Sequence, residues 1–258
     1  VTTEIDISLV VPAWNEEKYI ARMLETVERA RTRYSGGADR IEVIVVDNCS
    51  TDSTSDIAQE LGCTVLHFSE RCISAVRNAG AKIAQGELLC FADADYQIHP
   101  ETFNHIKEML SDPSIIYGGT GEVFERESFG IKITSFILTP LILKLMQVDG
   151  GVRYCQRSDF HAVSGFDEDA KSGEHIRLFR AFQRLGKQRS PTCRTATRLT
   201  ARELGVVAAV TIHSRRKFDR HGEWHLLPMI LKLGWYRVTG QPEKRESFVN
   251  RFWYTDRR

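Results

Sequence analysis

Several common signatures are missing from these 258 residues. The first apolar run is not followed by Gly-x-Gly-x-x-Gly, which excludes the usual dinucleotide-binding loop. Nor does a Gly-rich loop bearing Arg and Lys stand there, as a sugar-nucleotide pyrophosphorylase would need. The cysteines (Cys49, Cys63, Cys72, Cys90, Cys155, Cys193) form no Cys-x-x-Cys pair. Several lie in apolar runs, where a thiol behaves as a small hydrophobe, so reduced thiols are expected. No run of about 18 uncharged apolar residues occurs, and a membrane-spanning helix is not expected. The chain opens VTTEID and enters a strand pattern directly, without the features of a signal peptide. Repeats and low-complexity tracts are absent. The expected location is cytoplasmic, with peripheral contact at the inner face of the membrane as a further possibility.

Charge is nearly balanced at +1, but it is unevenly spread. From Lys187 onward there are 16 Lys and Arg against 6 Asp and Glu. Residues 1 to 186 hold 19 basic and 28 acidic residues. The basic C-terminal third is suited to anions such as a diphosphate or an anionic lipid. No recognised nucleic-acid-binding module accompanies it, and no nucleic acid partner is expected.

What is present is an alternation of strands and helices. Ile5 to Pro12 and Ile41 to Val46 are β-branched runs that predict strands. A helix is expected from Asn15 to about Tyr34, with Ile20, Met23, Leu24 and Val27 as its apolar stripe. Further helices are expected over residues 53–61, 73–85 and 99–110, the last opened by His99-Pro100. Short strands are expected at 64–68 and 87–95. This pattern predicts an α/β fold with a mostly parallel sheet flanked by helices. Residues 115–124 and 150–156 read as strands, and residues 172–185 as a helix with Ile176, Phe179 and Phe182 on one face. The apolar stretch 129–148 reads as a packed helix or as one facing a membrane or lipid substrate.

The segment ELLCFADAD, Glu87 to Asp95, organises the rest. A buried apolar strand runs into Asp93 and Asp95. Residues two apart on a strand share a side. If the strand continues, the two carboxylates converge at its carboxyl end, where open α/β sheets bind ligands. Like charges so placed call for a cation, and oxygen ligands suit Mg²⁺ or Mn²⁺.

Four stretches together resemble family 2 glycosyltransferases of the GT-A fold: VVPAWNEE at 10–17, VDNCSTDST at 46–54, SAVRNAGAKIAQGE at 74–87 and FADAD at 91–95. The resemblance covers roughly residues 5 to 225. It implies a nucleotide-binding half over 1–112 and an acceptor-binding half over 113–225. Beyond it, residues 226–258 mix aromatic with basic residues and read as a basic, aromatic tail forming a helical, amphipathic appendage. Pro12, Ala13, Asn15 and Glu16 then match the loop that holds base and ribose. Asp47 matches the acidic residue that accepts a uracil-type N–H. Ser50, Thr51 and Asp52 read instead as turn and cap residues. Arg77 matches a position facing the base and diphosphate. Asp93 and Asp95 match the DxD, which holds a divalent ion against the donor diphosphate.

In the second half, residues 150–168 resemble the segment before the catalytic helix. The family usually continues with Glu-Asp, and the Asp is the base in inverting members. Here Glu174 matches the Glu, but His175 stands in the Asp position. The base is then Glu174, His175 or neither, and a retaining mechanism or a sugar-nucleotide binder without catalysis are the other readings. In residues 210–222, His213 matches a possible third metal ligand, and Arg216 a diphosphate contact. The implied reaction moves a sugar from a nucleoside-diphosphate sugar, UDP-linked by preference, to a glycan or lipid-linked acceptor.

Overall fold

The computed structural model describes residues 4–125, 150–169, 173–206 and 208–214, with scattered positions between 232 and 248. Its main sheet begins with β1 (Ile7–Ala13) and β2 (Ile41–Asp47), separated by helix α1 (Ile20–Arg33). Helix α2 (Thr54–Glu60), β3 (Thr64–His67), α3 (Ile73–Ile83) and β4 (Leu88–Phe91) follow. Then come β5 (Tyr96–Gln97), α4 (Thr102–Ser111), β6 (Ile115–Gly119) and β7 (Glu122–Phe124). Beyond residue 150 lie β8 (Arg153–Gln156), α5 (Arg157–Ala162), α6 (Glu174–Arg189), β9 (Arg194–Ala196), α7 (Arg198–Glu203) and β10 (Thr211–His213).

The seven-stranded sheet has the order β3-β2-β1-β4-β8-β6-β9. β1 runs parallel to β2 and to β4, with Ala13 beside Asp47 and Val10 beside Phe91. The carboxyl ends of β2, β1 and β4 therefore lie side by side. β8 is antiparallel to both β4 and β6. Every residue of β1 is buried because helices cover both faces, which is why its sequence is continuously apolar. One face packs against α1 and α4, where Ile20, Met23, Leu24 and Val27 are buried as their spacing predicts. The other face packs against α3, α5 and α6 through Val76, Phe160, Phe179 and Phe182. Helix α3 lies very close to the sheet at Gly80, where a Cβ would fall 2.4 Å from Val10 Cγ1.

The sheet reading holds, but several expected boundaries do not. The first helix starts at Ile20 rather than Asn15, because the backbone N–H groups of residues 15–17 are used by the loop after β2. Pro100 precedes α4 instead of entering it, in a turn closed by Thr102 N–H on His99 O. The expected 115–124 strand is two strands in different sheets. The chain turns at Thr120 and Gly121, and Thr120 Oγ1 lies 2.8 Å from Thr211 Oγ1. Gly151, at φ +75°, passes Gly121 so closely that a Cβ would meet its carbonyl oxygen at 2.4 Å. β10 completes a small second sheet of order β5-β10-β7. The strand expected over 87–95 ends at Phe91, so Asp93 and Asp95 do not lie on one extended strand. All six cysteines are free thiols. Among the described residues no helix is long and apolar enough to cross a membrane. The 129–148 stretch lies outside the described residues, as does most of 226–258.

Candidate active site

The loops after β1 and β2 fasten each other. Asn15 takes a left-handed backbone at φ 53°, a conformation that Asn tolerates better than most residues. Its N–H donates to Ser50 Oγ at 3.0 Å, and its Oδ1 accepts from Thr51 N–H at 2.8 Å. Glu16 N–H donates to Thr54 Oγ1 at 2.8 Å. Asp52 accepts from Glu17 N–H and from Thr54 N–H. Ser50, Thr51 and Asp52 thus build the turn between β2 and α2 and tie it to the loop after β1, while the N-cap of α2 is Ser53. Pro12 and Ala13 end β1 beside Val46 and Asp47. Asp47 is buried; one oxygen accepts Ser50 N–H at 3.3 Å and the other lies 3.2 Å from His67 Nδ1.

Past the end of β4, the two aspartates part. Arg77, buried on α3, donates from Nη2 to Asp93 Oδ1 at 2.8 Å and from Nη1 to Glu174 Oε1 at 3.2 Å. Its guanidinium carbon sits 5.4 Å from the Phe166 ring centroid. Burial works against ionisation of Asp93, but the nearby cations, Arg77 first, hold its carboxyl well below the usual range. His175 lies beside Glu174, with Nε2 3.5 Å from Glu174 Oε1. Burial, with repulsion from Arg153 and Arg77, pushes this imidazole well below its ordinary range and keeps it neutral. Its Nδ1 is buried without a hydrogen-bond partner.

Asp95 turns toward β10 instead. Its Oδ2 accepts Ser214 Oγ–H at 2.6 Å and lies 3.8 Å from His213 Nε2. The His213 ring is held edge-on by Tyr96 and Phe124, 5.1 and 5.6 Å between centroids. The structure therefore gathers Arg77, Asp93, Glu174 and His175 in one cluster and Asp95 with His213 in another. Among the described residues no three His, Cys, Asp or Glu side chains group closely enough to hold a metal by themselves. A carboxylate and an imidazole still fit a cation that completes its shell with water and substrate phosphate, as Mg²⁺ and Mn²⁺ do. Arg216 lies outside the described residues.

Sequence reasoning missed Ser214, His67 and Arg153. Ser214 adjoins His213, and its hydroxyl became significant only once β10 met Tyr96. Arg153 is the one charge in the run GGVRYC, which read as a strand and as part of the segment before the catalytic helix, with no role given to the Arg itself.

The model for glycosyl transferase family 2 matches residues 8–166, more than half of the chain. Poly(ribitol-phosphate) beta-N-acetylglucosaminyltransferase TarS of Staphylococcus aureus (strain Mu50 / ATCC 700699) is 34% identical over 111 residues, 41% of this chain and 19% of that protein. Glycosyltransferase AglE of Haloferax volcanii is 27% identical over 123 residues, 45% of this chain and 39% of that protein. The chain thus spans well under half the length of these curated relatives. Among solved structures, S. aureus TarS 1–349 in complex with UDP-GlcNAc superimposes with a TM-score of 0.59 at 23% identity, covering 82% of this chain and 59% of that one. The mannosyltransferase PcManGT of Pyrobaculum calidifontis, in complex with GDP-Man and Mn²⁺, gives 0.62 at 18% identity, covering 82% and 57%. These likenesses establish the GT-A arrangement of the sheet, and with the family model matched over residues 8–166 the chain belongs to glycosyltransferase family 2.

Proposed function

We propose that this chain is a metal-dependent glycosyltransferase. It moves a sugar from a nucleoside-diphosphate sugar, UDP-linked by preference, to an acceptor hydroxyl with inversion. The observation that carries this reading is Arg77, which ties Asp93 to Glu174 across the carboxyl end of the sheet. That rim is where open α/β sheets take ligands. The relatives crystallised with UDP-GlcNAc and with GDP-Man and Mn²⁺ support a nucleotide-sugar donor.

In this reading the base and ribose lie against Pro12, Ala13, Asn15 and Glu16. Asp47 accepts the uracil N–H, and Arg77 and Arg216 face the diphosphate. Mn²⁺ or Mg²⁺, held by Asp95 and His213 with Asp93 close by, would supply Lewis-acid stabilisation of charge on the leaving diphosphate. Glu174 removes the acceptor proton. Its Oε1 is fixed by Arg77 and faces His175, which leaves Oε2 to face the acceptor. The neutral His175 orients Glu174. The acceptor oxygen then attacks the anomeric carbon from the face opposite the diphosphate.

A thermal-shift screen of UDP- and GDP-sugars with Mn²⁺ identifies the donor, because a ligand that binds the native state raises the melting point. With donor and acceptor known, the anomeric configuration of the product tests the single displacement; a retained configuration rules it out. For the acceptor, a glycan or lipid-linked hydroxyl accords with the apolar 129–148 stretch and the basic, aromatic 226–258 tail. Liposome flotation with and without that tail tests peripheral membrane contact, and equal flotation removes the tail from the account.

A further inference from the structure

Arg153 sits on β8, directly beside Phe91 of β4 and Gly119 of β6. It lies on the same face of the sheet as Arg77, Asp93 and His175. Its Nε is buried and, among the described residues, has no hydrogen-bond partner. Among the described residues no ion pair joins its guanidinium to a carboxylate, although Asp93 and Glu122 are near enough to favour its charge. Among the described residues two further buried polar atoms that lie within reach of its charge also lack partners, Tyr117 Oη and His175 Nδ1. Tyr117 feels the Arg153 charge and is stacked on Phe182 at 4.8 Å, so its hydroxyl is held in place. Arg153 itself is half-buried, and only its Nε is shut off from solvent. A buried polar atom without a partner is costly, and an orphan cluster of this kind marks where a ligand's polar groups go.

The chemistry of the three atoms is specific. Arg153 offers a planar fork of N–H donors, which matches a carboxylate or phosphate. Tyr117 adds an O–H donor. His175 points Nε2 at Glu174 Oε1, so in the neutral ring the proton belongs on that nitrogen and Nδ1 is an acceptor. An oxyanion with a neighbouring hydroxyl satisfies all three, as in a uronic acid or a sugar phosphate. Strand order fixes which part of the substrate this is. β8 lies on the far side of β4 from β1 and β2, whose loops carry the proposed nucleotide contacts. The fork therefore faces the transferred sugar or the acceptor, beside Glu174.

We propose that Arg153, with Tyr117 and His175, forms an oxyanion subsite that selects a carboxylate- or phosphate-bearing sugar or acceptor. This rests on the nucleotide-sugar reading of the rim. Calorimetry on the full chain with Mn²⁺ tests it in two arms. One compares UDP-glucuronate with UDP-glucose. The other, with UDP present, compares glucuronate and glycerol 3-phosphate with glucose and glycerol. The anionic member is expected to bind at least about tenfold more tightly in one arm, which also assigns the anion to donor or acceptor. In Arg153→Gln that preference falls below about twofold, while UDP alone binds as in the wild type. Arg153→Lys, which keeps the charge without the fork, is intermediate and serves if the Gln variant does not fold. No preference in either arm overturns the proposal, as does a preference that survives Arg153→Gln. A drop of about tenfold in UDP affinity in the variant also overturns it, since the guanidinium would then belong to the diphosphate. If neither UDP nor GDP binds the wild type, the nucleotide-sugar reading falls and this one falls with it.

Discussion

Arg77 grips Glu174 at 3.2 Å, a residue 97 positions further along the chain, with the same guanidinium that holds Asp93 at 2.8 Å. One buried cation thereby couples the end of β4 to the start of α6. The loop after β4 and the first turn of α6 are positioned against each other by that side chain.

Removing it leaves two carboxylates facing each other without their cation. Arg77→Met is expected to cost about 2–3 kcal/mol of stability, read from denaturant unfolding. The figure is held down by the partial exposure of Asp93. Arg77→Lys keeps the charge but not the fork, so it reaches one carboxylate only. Its stability should recover most of the loss, while its turnover stays at least about 10²-fold down.

Glu174 and His175 separate by kinetics. Glu174→Gln should lower kcat by about 10²–10⁴-fold, the usual worth of a positioned base. His175→Asn should cost about tenfold or less, because in the proposed reading the imidazole orients Glu174 and takes no proton from the acceptor. A variant series in which His175→Asn is the more damaged of the two would exchange their roles.

The region around the start of β1 has its own pH signature. A hydrogen bond from Arg40 is the main reason that Asp6 falls from 3.8 to about 2; burial opposes it, and Tyr34 and Lys107 assist. A carboxyl whose folded pKa is depressed stabilises the protein above the unfolded value. That contribution is lost as pH falls from about 4 through about 2. Because Arg40 is partly exposed, the contribution is about 1 kcal/mol. Asp6→Asn should show a correspondingly shallower acid transition, with the two proteins converging below pH of about 2.

Gly80 tests how closely α3 lies on the sheet. A Cβ there would sit 2.4 Å from Val10 Cγ1 and 2.8 Å from Val46 Cγ2. Gly80→Ala should cost about 1–3 kcal/mol despite its better helix propensity, and lower Tm by several degrees. An unchanged Tm would mean that the helix moves away without cost. Because α3 carries Arg77, such movement should also appear in turnover.

The β1-to-β4 half was legible because each element declares itself locally. Buried parallel strands read as β-branched runs, and α1 shows its stripe at Ile20, Met23, Leu24 and Val27. The site was less legible where it depends on distant pairing. β5, β7 and β10 have two or three residues each, too few to show a period, and His213 meets Tyr96 only through their ladder. Asp93 and Asp95 read as a convergent pair because the strand seemed to continue; it stops at Phe91, and each finds its own partners. The helix at Asn15 was expected from residue type, whereas its backbone donors are taken by the loop after β2. Arg153 gave no sign in sequence, since one Arg in an apolar strand becomes conspicuous only when its neighbours leave it unpaired.

The central claim is that Asp95 and its surroundings serve transfer from a nucleoside-diphosphate sugar. The most direct measurement is release of nucleoside diphosphate from a panel of UDP- and GDP-sugars with Mn²⁺, for the wild type and for Asp95→Ala. The account predicts turnover of at least one donor, UDP-linked by preference, dependent on the metal and reduced at least about 10²-fold in the variant. Equal turnover by the two proteins, or turnover indifferent to the metal, would contradict it.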